Sequence, residues 1–247
     1  MTINSIIHTR VLKVENNYSD VKSKTQEMLS PWSYMFEYDD ALKEIRYKSE
    51  GPLIPEENGK EPVLILLSNP HPHSVKQGMI LSPNRVGKEN PFWETMRFSG
   101  YFRQNGSTGA VAMIQNHYES PFRFFMAVLL PFPSEDPGDL IKLFGHFEYS
   151  KMLNEGRESI RKLILDHGIQ HIVCFSKLPY DAVSNRKSPK SYTTVLRNGD
   201  MIVSDCWFSN DVNVYLTFPT GWRFIKNARE IKAESLRRVF GCIVNNK

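Results

Sequence analysis

The stretch "LSNPHPHS" (67 to 74) carries an apolar run into Ser68, Asn69 and Pro70, then into His71 and His73 on either side of a proline. Two readings compete there. The imidazoles are potential metal ligands, but the i, i+2 spacing brings no carboxylate or cysteine pair to complete a coordination set. The other reading is an ordinary turn, because Asn-Pro is a common turn former, and taken alone the stretch favours it. A second stretch, "TFPTGWRF" (217 to 224), sets the turn Pro219-Thr220-Gly221 directly after an apolar run and presents Trp222 and Arg223. That aromatic either caps the domain or reaches for a ligand. A third, "SNRKSPKSY" (184 to 192), is basic and serine-rich. It is either a solvated loop or a phosphate contact made by Lys187 and Lys190.

The elements that must position these residues alternate. "PVLILLS", "FRFFMAVLLPF", "IQHIVCFS" and "VNVYLTFPTG" are continuously apolar, as strands buried on both faces are. Between and after them, "NPFWETMRFSGYF", the segment from Asp136 to Gly168, and "REIKAESLRRVFGCIV" carry helical periodicity, with Phe92, Trp93 and Met96 at core-packing spacing. This order predicts an α/β three-layer sandwich, a central mostly parallel four-stranded sheet flanked by helices. Ligands bind such sheets at the carboxyl ends of the strands, where both "SNPHPHS" and "TFPTGWR" fall. Residues 1 to 60 read as an N-terminal extension packing on the core, with a helix around "DVKSKTQEMLS" and a Pro/Gly-rich punctuator at 50 to 62, and 61 to 247 as the α/β domain.

Composition narrows the function classes. At 40% hydrophobic and 23% charged residues, the 247-residue chain is of globular type. No apolar run approaches the roughly 20 residues of a membrane span, and "MTINSIIHTRVLKVENN" lacks the features of a signal peptide, so a cytoplasmic protein without a membrane partner is expected. Cys174, Cys206 and Cys242 are far apart with no CxxC pair, which argues against a zinc ribbon, a cysteine-ligated cluster or a disulfide framework. The net charge of +4 tolerates a polyanionic partner without demanding one. There is no GxGxxG after the first strand, no Walker sequence and no serine nucleophile elbow.

Together, "LSNPH" (67 to 71), "NPFWETMRFSGYF" (90 to 102) and "FPTGWRF" (218 to 224) resemble, in order and in intervening elements, the uracil-DNA glycosylase superfamily, especially its mismatch-specific uracil/thymine branch. The resemblance spans roughly residues 60 to 244. It implies the glycosylase fold and a monofunctional, monomeric DNA glycosylase without cofactor or metal, nucleoid-associated if bacterial. Such an enzyme flips a base from the stack and hydrolyses its N-glycosidic bond.

Carried over position by position, Asn69 matches the residue that positions water at the anomeric carbon. An amide orients water but cannot accept its proton, so weak activation is implied. Ser68 and Pro70 flank it in the base pocket, and His71 takes the place that controls access beside the base C5 atom. Met79 would stack on the base. Met126, or Asn116 as a substitute, falls where relatives read the base edge. Phe218 occupies the position of a hydrogen-bonding His. Trp222 or Arg223 matches the wedge into the duplex, and Ser74, Pro219, Thr220 and Gly221 the DNA-facing backbone. Leu67 and His71 replace glycines of the first motif, and Phe218 replaces the His. These departures imply a remodelled pocket for a modified or bulky pyrimidine. Two other functions compete: a catalytically weak reader of modified or damaged DNA bases, and a hydrolase of small nucleosides or nucleotides.

Overall fold

The computed structural model describes residues 6–104, 106–221 and 227–245. In chain order these form β1 (Ile7–Lys13), α1 (Tyr18–Met28), β2 (Phe36–Asp39), β3 (Glu44–Glu50), β4 (Glu61–Leu67), α2 (Pro72–Gln77), α3 (Pro91–Ser99), β5 (Arg103–Gln104), α4 (Gly109–Ile114), β6 (Tyr118–Glu119) and β7 (Phe122–Val128). There follow α5 (Asp139–His167), β8 (His171–Cys174), α6 (Lys177–Val183), α7 (Tyr192–Arg197), β9 (Ile202–Cys206), β10 (Ser209–Leu216) and α8 (Ala228–Asn245).

The four continuously apolar segments do form one sheet, in the order β7-β4-β8-β10, all parallel. The sheet has a fifth strand that the sequence reading missed. β9 pairs antiparallel with β10 at the edge, through a hairpin whose register shifts between Ser209 and Asn213. Its burial alternates along IVSDC, Ser204 and Cys206 buried and Val203 and Asp205 exposed, and with polar residues on both faces it lacks the continuous apolar signature.

Strand periodicity sorts the core into two layers. Leu64, Leu66, Phe125, Ala127, Ile172, Cys174, Val214 and Leu216 face α5 and α6. Val63, Ile65, Leu67, Phe124, Met126, Val173 and Tyr215 face α3, α4 and α8. A mostly parallel five-stranded sheet between helices results, consistent with a three-layer α/β sandwich.

Residues before β4 contribute more than the helix read from sequence. β1, β3 and β2 form an antiparallel sheet whose Tyr47 and Phe36 rings pack on Phe132, with centroids 4.6 Å and 5.3 Å away. Phe132 lies in the loop after β7, so this sheet is docked where the carboxyl ends of the central strands emerge. Leu53 exchanges both backbone hydrogen bonds with Met126, covering the free edge of β7.

α5 makes one unusually close approach. A Cβ on Gly156 would stand 2.0 Å from the Leu129 carbonyl oxygen. Gly156→Ala is therefore expected to push α5 off the strand ends, at a cost of about 1–3 kcal/mol, visible as a lower urea midpoint. An unchanged midpoint would show that the helix can retreat without loss.

Candidate functional site

β4 ends at Leu67, and the chain turns across the sheet edge through Ser68-Asn69-Pro70. The connection from β4 leads to β7 on one side, while β8 leads on toward β10 on the other. The sheet order therefore reverses between β4 and β8, the place where parallel α/β sheets open a crevice. There the Ser68 and Ser176 hydroxyls meet at 2.9 Å and tie the two strand ends together.

The crevice has a volume of about 640 Å³. Its walls are Ser68, Asn69 and His71 after β4, Ser134 to Pro137 after β7, Phe175 to Leu178 after β8, and Pro219 to Gly221 after β10. The first and last sequence motifs are thus brought to one cavity, with Ser74 lining it from α2.

Asn69 is held in a single orientation. Its amide nitrogen donates to the Ser134 carbonyl oxygen and to Ser134 Oγ, both at 2.9 Å, and lies 3.2 Å from the Pro70 carbonyl. Ser134 Oγ in turn donates a hydrogen bond to the Asp136 carbonyl at 2.8 Å. A carbonyl only accepts, so the nitrogen end of the amide must face Ser134. Oδ1 has no protein donor among the described residues and stays available as an acceptor. An oriented acceptor of this kind can hold a water by one of its hydrogens, but cannot deprotonate it.

The two histidines turn out to serve the backbone. His71 is the N-cap of α2, its Nδ1 accepting from the His73 backbone N–H at 3.1 Å, and Pro72 fills the first helical position. Desolvation of the His71 ring lowers its pKa against an upward pull from Glu135, and nearby His73 and Arg85 lower it further. The neutral ring is the form able to accept that bond. His73 Nε2 lies 2.8 Å from the Pro83 carbonyl and donates to it, fixing the loop after α2. Among the described residues no group of three His, Cys, Asp or Glu is placed to hold a metal ion.

Other residues expected at the site lie elsewhere. Met126 is fully buried in the middle of β7, facing α3, α4 and α8, and cannot reach the crevice. Phe218 is only 2% exposed and packs on Leu196 behind the crevice wall, the ordinary fate of a phenyl group at the end of a central strand. Met79 packs against the α3–α8 layer, and Asn116 lines a separate groove with His8 and Pro52 to Glu56. Pro70 is buried, its carbonyl accepting from Ser134 N–H at 3.2 Å.

Lys187 and Lys190 are exposed on the basic loop. Lys187 Nζ donates to the Asp181 carbonyl at 2.7 Å, and that residue lies on a neighbouring groove with Arg157. Lys177, which does line the crevice, is held by Asp181 at 2.5 Å and Ser188 Oγ at 2.6 Å. Trp222 and Arg223 lie outside the described residues.

Several crevice residues were missed, Ser134, Ser176 and Lys177 among them, and one of those missed is a buried carboxyl. Glu50, the last residue of β3, lines the cavity, is 2% exposed, and has an Oε1 without a hydrogen-bond partner. Burial raises its carboxyl pKa to about 8. Nothing local could have flagged it: in sequence Glu50 is one charge before Gly51-Pro52 in a polar punctuator. Only docking of the β1-β3-β2 sheet removes it from water.

Comparison of the chain with protein-family models gives no match, and neither does comparison with curated proteins. No helix among the described residues is long and apolar enough to cross a membrane.

Proposed function

We propose that this protein is an N-glycoside hydrolase on a uracil-DNA glycosylase-like fold, taking a pyrimidine extruded from DNA into the crevice and releasing it with water. The observation that carries this reading is the locked amide of Asn69, with Oδ1 left as an acceptor at the sheet's switch point, across a nucleoside-sized cavity from Pro219 to Gly221. Water held by Oδ1 adds through oxygen to the anomeric carbon. The carbon–nitrogen bond breaks, its electron pair leaves with the base, the water's proton passes to solvent, and the departing base anion takes up a proton. The products are the free base and a hydroxyl on the sugar.

A second reading, hydrolysis of free nucleosides, is favoured by Glu135 and Asp136 on the crevice wall, whose charge opposes a phosphate backbone. One set of assays separates the two. Base release from duplexes carrying modified or mismatched pyrimidines, followed by mass spectrometry, is expected for the first reading. Duplex affinity is then expected to fall steeply with salt. Release from nucleosides alone, with no duplex affinity, selects the second. Duplex binding without release of any base points to a reader of modified DNA. Absence of both release and binding in a folded protein sinks all three.

A further inference from the structure

We propose that Glu50 is a second functional group of the crevice, a carboxylic acid that pairs with the cis-amide edge of the bound pyrimidine and donates its proton to the base carbonyl oxygen as the glycosidic bond breaks. The proton-transfer step rests on the hydrolase reading above; the pairing does not.

Three features carry the inference. The first is the side chain's position, lining the same cavity as Asn69 while almost wholly shielded from bulk water, with Oε1 unsatisfied. A buried polar atom without a partner is costly, and its retention on a cavity wall is what a site awaiting a ligand looks like.

The second is how its place is set relative to Asn69. Ser49 Oγ, one residue earlier, donates to the Pro131 carbonyl, and three residues on, the Ser134 N–H bonds Pro70 while Asn69 bonds Ser134 in return. The short loop between Pro131 and Ser134 therefore ties the end of β3 to the end of β4. α2, which begins just after His71, also packs against β3.

The third is chemical. A protonated carboxyl offers one O–H donor and one carbonyl acceptor side by side, the complement of the N–H and C=O of a uracil-type ring. Burial supplies the protonated form at neutral pH. The charged or titratable groups that line the cavity with Glu50 are His71 and His73 at α2, Glu135 and Asp136 after β7, Lys177 on α6 and Tyr192 on α7, and His8 lies on the paired strand β1 opposite Ser49. His8 packs beside the neighbouring Gly51, where a Cβ would meet its ring at 2.4 Å. None of them forms an ion pair with Glu50, and desolvation alone governs its carboxyl.

The step balances. The Glu50 O–H bond breaks and an O–H bond forms on the base oxygen, which absorbs the charge left by the departing pair. Water adds to the anomeric carbon and loses its proton to solvent, and the Glu50 carboxylate regains one from solvent. This supplies the electrophile that Phe218, buried behind the wall, does not.

The test compares wild type with Glu50→Gln, which keeps shape and hydrogen bonding but has no proton to give, after circular dichroism has shown both to be folded. Base release by the variant is expected to fall by about 10²–10⁴-fold. Wild-type release should decline as pH rises through about 8, a decline absent from the variant's profile. Independently of turnover, free uracil and 5,6-dihydrouracil are titrated by calorimetry. Wild-type affinity for the dihydro probe, whose ring stays neutral throughout, should drop about tenfold between pH 7 and pH 9, and the variant's should not change with pH. Probe binding with this pH dependence but no release from any substrate sinks the hydrolase reading and leaves the pairing role standing. Absence of probe binding, or binding and release indifferent to Glu50→Gln, overturns the proposal.

Discussion

Asn69→Ala is expected to reduce base release by about 10²–10³-fold while the chain remains folded, the loss typical of removing one oriented polar group from a reacting centre. The alanine removes Oδ1, and with it the hold on the attacking water. It also strands the Ser134 carbonyl and hydroxyl that the amide nitrogen satisfies at 2.9 Å. The stability loss should be about 1–3 kcal/mol, since those groups sit beside a cavity that water can enter. Single-turnover release and a urea midpoint measure the two effects separately. Activity within threefold of wild type would remove Asn69 from the mechanism.

Asn69→Asp sharpens the point. A carboxylate would be the stronger base, yet here it would set an anion against the Ser134 carbonyl oxygen. The substitution is therefore expected to loosen the loop between Pro131 and Ser134, and not simply to speed the reaction.

Glu50→Gln is expected to remove a slope from the pH dependence of stability. The carboxyl's pKa is raised from 4.5 to about 8 in the folded protein by burial. Because the folded state holds this proton more tightly than the unfolded chain, the stabilisation is complete below about pH 4.5 and is lost as pH rises to about 8. The loss over that window is on the order of 4–5 kcal/mol, which the variant does not suffer. Urea midpoints should therefore shift in favour of the variant between pH 5 and pH 9. Titration of His71, whose pKa burial lowers, is common to both proteins and cancels in the comparison. Parallel stability curves across that range would show that Glu50 is not desolvated as the structure has it.

Much of the site's framework is legible in the chain. β4, β7, β8 and β10 announce themselves as apolar runs, because a strand covered on both faces has no polar side to display. Once those four are strands of a parallel sheet, Asn69 and the Pro219–Gly221 turn must emerge at the same end. The edge strand β9 escapes this logic because half of it meets water, and β1 and β3 escape it for the same reason.

The residues that decide the chemistry divide along the same line. The sequence alone determines that Asn69 stands at a strand end, since local apolar periodicity and the Asn-Pro turn are properties of neighbouring residues. Which way its amide points is decided by Ser134, 65 residues away. The histidines of "NPHPHS" are consumed by backbone groups that exist only once α2 and its following loop have formed. Met126 and Phe218, plausible pocket residues by position, are buried because side-chain direction on a strand depends on which layers cover the sheet. Glu50 is the clearest case. Its burial, and with it a carboxyl that holds its proton at neutral pH, is a solvation effect, and solvation is set by what packs around a residue after the whole chain has folded.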